Sequence, residues 1–479
     1  MRDVLIVGAG PAGTTAARYA AKAGLSVLIL DQSPRDKIGD KTCGNAINTR
    51  VFRDIDINPP KPAYYGLVKG IEVVSPDWKT VFRLEQPGES GMMLDRLGFG
   101  QYLLSLALDV GAELVDEFVV TGPVLDGGVA GVQGVHQKEK SRDEYRAKAV
   151  VEASGVGAVI RRNLGKLVDN STDDDETMVC HRQIRRVVKP ITEYSRIYLD
   201  QEAAPGGYIW YFPMGNDLVN MGLGVAKGTT NPERAFERYA SKIPEFAKSK
   251  LVHAGSAVVP TRRPMSPSVH EGVIFTGDAG FTVDPLGGGG IASSMQAGKM
   301  AAEALIQAAE KGDYSIKSLW IYCHKFNTTM GRIHASHDIL RIFLQGLYNE
   351  DANFGIAKGV ITQQDIADVS SGRPLDLGLI GTIRRLLTIA GKAALLTKLV
   401  RLRGLLSEAD ALYADFPNAP GPDFQAWKDR DLSLHKRAHE LVGGSALAKA
   451  TAAYPGHGEK TTIGTERRTN PRILRMNRQ

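Results

Sequence analysis

Gly8, Gly10 and Gly13 stand in the run GAGPAG directly behind an apolar segment, and Asp31 closes a second apolar segment 23 residues after Gly8. That spacing suits the binding of a dinucleotide. The first glycine permits a tight turn, the second lets the main chain approach a pyrophosphate, and the third lets the following helix pack closely on its strand. The phosphates then meet the positive end of that helix. Asp31 is placed to accept hydrogen bonds from an adenosine ribose. None of these features separates FAD from NAD.

The separation comes from a distal stretch, TGDAGFTVDPLGGGGI at positions 276 to 291, which follows an expected strand. Asp278 can hold a ribityl hydroxyl or support the pyrophosphate. Gly287, Gly288, Gly289 and Gly290 let the chain run against a flavin ring before a helix that begins near Ile291. Amides and a helix dipole directed at the pyrimidine side favour the anionic reduced ring. FAD is therefore the expected cofactor. Arg96, directly after Met92, Met93, Leu94 and Asp95, is a further candidate contact, the competing reading being a surface ion pair at a helix start. A second nucleotide loop so far along the chain is typical of the large hydroxylase-like flavoproteins.

A β-α-β unit must hold these residues. Residues 3 to 7 read as a short apolar strand, Thr14 to Ala23 as an alanine-rich helix ended by Gly24, and Val27 to Leu30 as the second strand. A helix is expected from Asp95 to Val110, strands over Ala112 to Val120, Gly131 to Gln137, Ala147 to Ala153 and Gly272 to Phe275, and a helix from Gly290 to Ala309. Alternation in Tyr208, Trp210 and Phe212, and again over Leu218 to Val225, suits an antiparallel sheet. The expected fold class is α/β, an α+β composite built on an FAD-binding Rossmann-like domain of the hydroxylase-like type. That domain is discontinuous over 1–50, 91–169 and 261–315. An antiparallel-sheet substrate domain takes 51–90 and 170–260, and a mainly helical C-terminal region with a basic tail takes 316–479.

Three further segments narrow the reading: Lys41, Thr42, Cys43, Gly44, Asn45 and Ala46 in succession; GGYIWYFP at 206 to 213; and Met221 to Gly224. The first resembles the cysteine-containing flavin-side loop of the geranylgeranyl reductase family, and the second resembles its YxWxFP signature. Glu152 to Gly155 resembles the strand end that closes the FAD fold there. On these points the chain is similar to that family, especially its archaeal lipid-reducing members. The resemblance implies reduction of isolated carbon–carbon double bonds in prenyl chains by reduced FAD. It implies FAD contacts at Ala12, Asp31, Cys43, Gly44, Ala46, Arg96, Val120, Asp278, Gly290 and Ile291. It also implies that Tyr208 and Trp210, with Phe212 and Pro213 of the same signature, line a prenyl tunnel beside the flavin. In a strand Tyr208 and Trp210 share one face and make an aromatic wall. Cys43 is the candidate proton donor or redox-sensitive gate, against the reading that a free cysteine is inert packing. Gly100 and Asn45 stand where family members commonly carry acidic residues.

With 479 residues, 43% of them hydrophobic and 23% charged, the chain has an ordinary globular composition and room for more than one core. Its net charge of +6 tolerates an anionic cofactor or an acidic membrane surface and does not argue for nucleic acid. No apolar stretch approaches about 18 residues, so no membrane span is expected, and Asp3 with the following glycines reads as strand and turn rather than a targeting leader. Three cysteines, Cys43, Cys180 and Cys323, suit a reducing, cytoplasmic setting. They leave no iron–sulfur array, so electrons are expected from an external donor. Cys323, His324, His334 and His337 fall on a helical pattern and read as packing or surface residues rather than a metal site.

Leu379 to Ala394, if helical, puts Leu379, Ile383, Leu386, Leu387 and Ala390 opposite Arg384, Arg385 and Lys392. Docking onto the protein body is the leading reading, and peripheral contact with the inner face of the cell membrane is the second. Two other readings compete with a reductase. One is a flavin-dependent monooxygenase or halogenase-like enzyme on the same fold, although the lysine and tryptophan-rich halogenase motif is missing. The other is a non-enzymatic isoprenoid-lipid binding protein.

Overall fold

A computed structural model describes residues 1–85, 91–170, 172–370 and 393–443, with two-residue strands Ala452–Ala453 and Thr461–Thr462 beyond them. The segment from Leu379 to Ala394 falls almost wholly outside these residues, as does the basic tail.

The chain opens with a strand, Arg2–Val7, a helix, Pro11–Lys22, and a second strand, Val27–Leu30, paired in parallel with the first. The first strand also pairs in parallel with Arg142–Glu152, which pairs with Val273–Phe275; Glu113–Val115 flanks the second strand. One face of this sheet is covered by alanine-rich helices. Ala16, Ala17 and Ala20 meet Ala301, Ala304 and Leu305 there, with Leu319, Trp320 and the C-terminal Trp427 and Leu434 outside them. The other face buries Leu5, Val7, Leu28, Phe118 and Phe275 beneath an antiparallel flap.

The strand expected over 112–120 is two strands, Glu113–Val115 and Phe118–Leu125. Between them Glu117 takes a left-handed conformation (φ 52) and Asp116 accepts a hydrogen bond from the Arg35 amide. The chain turns at a charged pair that a run of β-formers on either side conceals.

The second sheet runs in the order Lys250–Pro260, Thr177–Arg186, Leu218–Ala226, Tyr208–Gly215, Ser195–Tyr198, Ile71–Val74, Val81–Leu84. It is antiparallel except where Ser195–Tyr198 meets Ile71–Val74. Residues 46–48, 64–68 and 91–94 form a separate three-stranded sheet between the two large ones. No described helix is long and apolar enough to cross a membrane.

Two glycine contacts set the approach of these layers. A Cβ on Gly100 would lie 2.3 Å from the Cα of Gly39, so no acidic side chain can stand at this position. A Cβ on Gly298 would lie 2.3 Å from the Ala12 carbonyl oxygen, so the first turn of the helix Pro11–Lys22 touches the helix Ile291–Lys311 backbone to backbone about two turns into the latter. The C-terminal helices are clamped on by buried charge. Arg263 bridges Glu176 and Asp431, and Asp338 meets Arg341 at 2.7 Å and His435 at 3.2 Å.

Candidate active site

The two glycine loops meet in one cleft. Gly8 adopts φ +103 and has no room for a Cβ, which would lie 2.4 Å from the Ala153 carbonyl oxygen. Gly10 differs: a Cβ there would meet nothing nearer than the Lys41 ammonium at 3.9 Å, and its φ of −74 suits any residue. The protein itself does not require glycine at position 10, whereas a group approaching the main chain from the cleft does. Gly289 is open in the same way. Ala12 lies buried at the helix start, against Gly277 of the distal loop. Asp31 accepts hydrogen bonds from the Ala9 amide at 2.7 Å and the Ser33 amide at 2.8 Å, which fixes its carboxylate beside the first turn. Val120 sits two residues beyond Phe118, whose amide donates to the Asp31 carbonyl, and so lies on the Asp31 side of the cleft.

Opposite the first turn stand Lys41, Arg96 and Asp278. The Lys41 ammonium hangs over Gly10 and Gly155, 3.9 Å and 3.8 Å from where their Cβ atoms would be. Arg96 is 8% exposed, and its Nε and Nη1 have no hydrogen-bond partner among the described residues. Burial raises the Asp278 carboxyl above the usual range, against the opposing pull of Lys41 and Arg96. A buried guanidinium with two idle donors is costly unless an anion arrives. The site therefore fits the pyrophosphate of FAD. Arg96→Met is expected to weaken FAD binding by about 10- to 100-fold, the worth of a hydrogen bond to a charged group, as measured by flavin titration of the apoprotein.

At the other end of the cleft lies an aromatic face of the second sheet. Tyr208, Trp210 and Phe212 share it, with ring centroids 6.2 Å apart in each successive pair. Pro213 falls on the opposite side of the strand, with Ile209 and Tyr211, and is not brought to this face. Trp210 lies flat over its cross-strand neighbour, since a Cβ on Gly222 would be 2.3 Å from the indole. Its Nε1 donates to Asn220 Oδ1 at 2.9 Å, and Asn220 Nδ2 donates to the Cys43 carbonyl at 2.9 Å. Gly44 abuts Phe212, with a would-be Cβ 3.2 Å from the ring. Ala46 is exposed at the start of the small sheet. Cys43 is half-buried, and its sulfur accepts from the Asn45 amide at 3.4 Å. Burial pushes the neighbouring Cys180 thiol up to about 12.

Tyr208 ties this face to the distal glycines through a 2.6 Å hydrogen bond to the Gly287 carbonyl. Its phenol is held far above the usual range, by burial first, and stays protonated. Gly288 and Gly290 continue toward Ile291, the first residue of the long helix, and Asp284 Oδ1 caps the turn by accepting from Leu286 and Gly287 amides.

Asn220 and Arg182 join the site with no motif to mark them, while Lys41 enters it as the first residue of the cysteine-containing loop. Arg182 lies in register with Gly222 and Gly255 on the aromatic face, 5% exposed, donating to His253 Nδ1 at 3.1 Å. Among the described residues no carboxylate comes within ion-pair distance of it. Cys323, His324 and the later histidines do not converge: Cys323 meets Ser268, His324 meets the Phe416 carbonyl, and His337 meets Asp284. No group of His, Cys, Asp or Glu among the described residues is placed to hold a metal.

Comparison with known proteins bears on both halves of the cleft. Residues 3–164 match the FAD dependent oxidoreductase family and residues 176–259 the geranylgeranyl reductase catalytic domain. The digeranylgeranylglycerophospholipid reductase of Sulfolobus acidocaldarius is 36% identical over 427 residues, 87% of this chain and 94% of that protein. Its namesake in Thermoplasma volcanium is 33% identical over 67% of this chain and 82% of its own. A crystal structure of a geranylgeranyl bacteriochlorophyll reductase-like protein from Thermoplasma acidophilum superposes with a TM-score of 0.71 at 27% identity, covering 84% of this chain and 99% of that one. The myxobacterial chondrochloren halogenase shares the fold alone, with a TM-score of 0.61 at 16% identity, covering 93% of this chain and 99% of the halogenase.

Proposed function

The chain belongs to the geranylgeranyl reductase family of FAD-dependent oxidoreductases, and from that premise we propose that it reduces isolated double bonds in the geranylgeranyl chains of archaeal-type membrane lipid precursors. The observation that carries the proposal is the bonded series Trp210–Asn220–Cys43, which locks an aromatic, apolar wall to the loop expected at the flavin. Reduced FAD supplies the hydride when bound. In this proposal Lys41, Arg96 and Asp278 would hold its phosphate and ribityl end, Asp31 and Val120 its adenosine end, and Gly287 to Gly290 would face the ring.

An isolated alkene has no carbonyl to polarise, so catalysis rests on holding the chain in register with the ring and excluding water. Tyr208, Trp210 and Phe212 do the holding. Cys43 is the proton-bearing group that the loop presents to this space and is the proposed acid. Burial holds the Cys180 thiol and the Tyr208 phenol in their protonated forms. Arg182 gives the apolar face a positive charge without a paired carboxylate, which suits a phosphate-bearing lipid better than a free hydrocarbon. Electrons reach the flavin from an external donor, and a lipid substrate favours peripheral contact with the inner face of the cell membrane.

The test is photoreduction of the bound flavin followed by anaerobic addition of a geranylgeranyl phospholipid. Flavin reoxidation with a product heavier by two hydrogens per bond is expected. Tight lipid binding without reoxidation would defeat the proposal in favour of a binding protein.

A further inference from the structure

We infer that His337 is a positioning residue for the cofactor: it stands behind the distal glycine turn and neutralises Asp284, so that the turn can face a reduced, negatively charged flavin. The inference rests on the placement of Gly287 to Gly290 along the ring proposed above, and it is independent of which alkene is reduced.

His337 lies on the helix Arg332–Gln345, and its Nδ1 is 2.6 Å from Asp284 Oδ2. The other carboxylate oxygen accepts from the Leu286 and Gly287 amides at 2.9 Å and 2.8 Å. The Asp284 main chain closes the turn, its carbonyl accepting from Gly288 and its amide donating to Gly289. One carboxylate thus organises the whole glycine segment, and Tyr208 holds that segment from the front through Gly287. The opposite nitrogen of His337, Nε2, is buried and has no hydrogen-bond partner among the described residues, so the bond to Asp284 is what orients the ring there.

The charge balance follows from the surroundings. Burial alone would push His337 down, but the adjacent carboxylate overrides it and holds the imidazole above the ordinary histidine range. Burial would likewise raise Asp284, but His337 holds it well below the carboxylate range. His334, one turn earlier, is pushed by burial down to about 4 and stays neutral beside the pair. The remaining charges on this helix are engaged elsewhere: Asp338 with Arg341 and with His435 of the Pro422–Leu441 helix, and Arg332 with Asp410 of the Ala393–Ala414 helix. Tyr208, facing from the sheet, stays protonated.

Asp284 and His337 therefore form a neutral pair at acidic to neutral pH. Because the imidazole is raised, its charge is present below the ordinary histidine value and is lost as pH rises through the raised one. That leaves a bare carboxylate beside the turn.

The experiment measures the reduction potential of the bound flavin from about pH 6 to about pH 9, a span that brackets the ordinary histidine value. In the unmodified protein the potential should bend downward on the alkaline side. His337→Asn keeps an N–H donor for Asp284 but cannot be charged. It should retain FAD and lie below the unmodified protein near neutrality by a roughly 10-fold loss of preference for the reduced form, about 30 mV for a two-electron couple. It should show no bend and should meet the unmodified curve at high pH. Asp284→Asn should also lack the bend. Coincident curves, or an unmodified protein without a bend, would overturn the inference. Gly288→Ala separates the two levels, because Gly288 adopts φ +66 and faces the Tyr208 hydroxyl. If that variant leaves FAD affinity untouched, the placement of the ring fails; if it weakens FAD while His337→Asn follows the unmodified curve, only the role of His337 fails.

Discussion

A Gly13→Ala variant is expected to purify without flavin and to melt well below the unmodified protein. The added Cβ would lie 1.9 Å from the Gly8 carbonyl oxygen and 3.0 Å from the Ile6 side chain. The first obstacle is main chain inside the turn itself, with no flexible side chain to move aside. The helix must retreat from its strand, which costs at least about 3 kcal/mol, the upper part of the range for overpacked cores. The same retreat pulls the helix N-terminus away from the phosphates and loosens its contact with the Ile291–Lys311 helix. Flavin absorbance and thermal melting read the two losses together. Gly10→Ala offers the contrast, since nothing inside the protein opposes a methyl group there; it should melt normally as apoprotein and lose affinity only for the cofactor.

The second large effect is expected at Asn220. Its side chain is fully buried, accepts from the Trp210 indole and donates to the Cys43 carbonyl. Asn220→Ala strands both groups, at about 1–3 kcal/mol for each buried polar group left unsatisfied. It also releases the indole from its flat seat over Gly222 and the cysteine loop from the sheet. A displacement of about 1 Å at a reacting pair can cost about 100-fold in rate, so turnover of a prenyl lipid should fall by about that factor. The Gly8 to Gly13 turn, Arg96 and Asp278 lie outside this series, so FAD should be retained, with affinity lowered only as far as the released cysteine loop contributes to it. Single-turnover reoxidation of the reduced flavin measures the first quantity, and flavin content the second. Loss of flavin in parallel with turnover would place Asn220 in the cofactor site instead.

Much of the cofactor half is legible in the sequence because its requirements are local. A turn that excludes a Cβ, a helix that starts at the turn and a carboxylate at the next strand end all lie within Gly8 to Asp31. The distal loop is legible for the same reason. The aromatic face follows from alternation over Tyr208 to Phe212, yet Pro213, adjacent in the same signature, points the other way, because strand geometry rather than motif membership decides the face.

What stayed hidden depends on pairing across the fold. Asn220 is one polar residue in an apolar strand until the sheet sets it opposite Phe212. Arg182 acquires meaning only from the glycines on either side of it in the sheet. His337 reads as one of a helical histidine pair, and its partner Asp284 is 53 residues away. The three-stranded sheet escaped notice because its strands are only three to five residues long and draw on separate segments.

The backbone contact between the two helices, at Ala12 and Gly298, has a further consequence. The loops proposed to grip opposite ends of the cofactor are distant in sequence but ride on a single stiff unit. Neither can open while the other stays closed without prying apart two alanine-lined helices. Such a clasp would slow exchange of a bound flavin with solution, which release of FAD into excess apoprotein or competing flavin measures. Under the proposed placement the flavin would stay with the protein through successive turnovers and would have to be re-reduced in place, with the clasp shut.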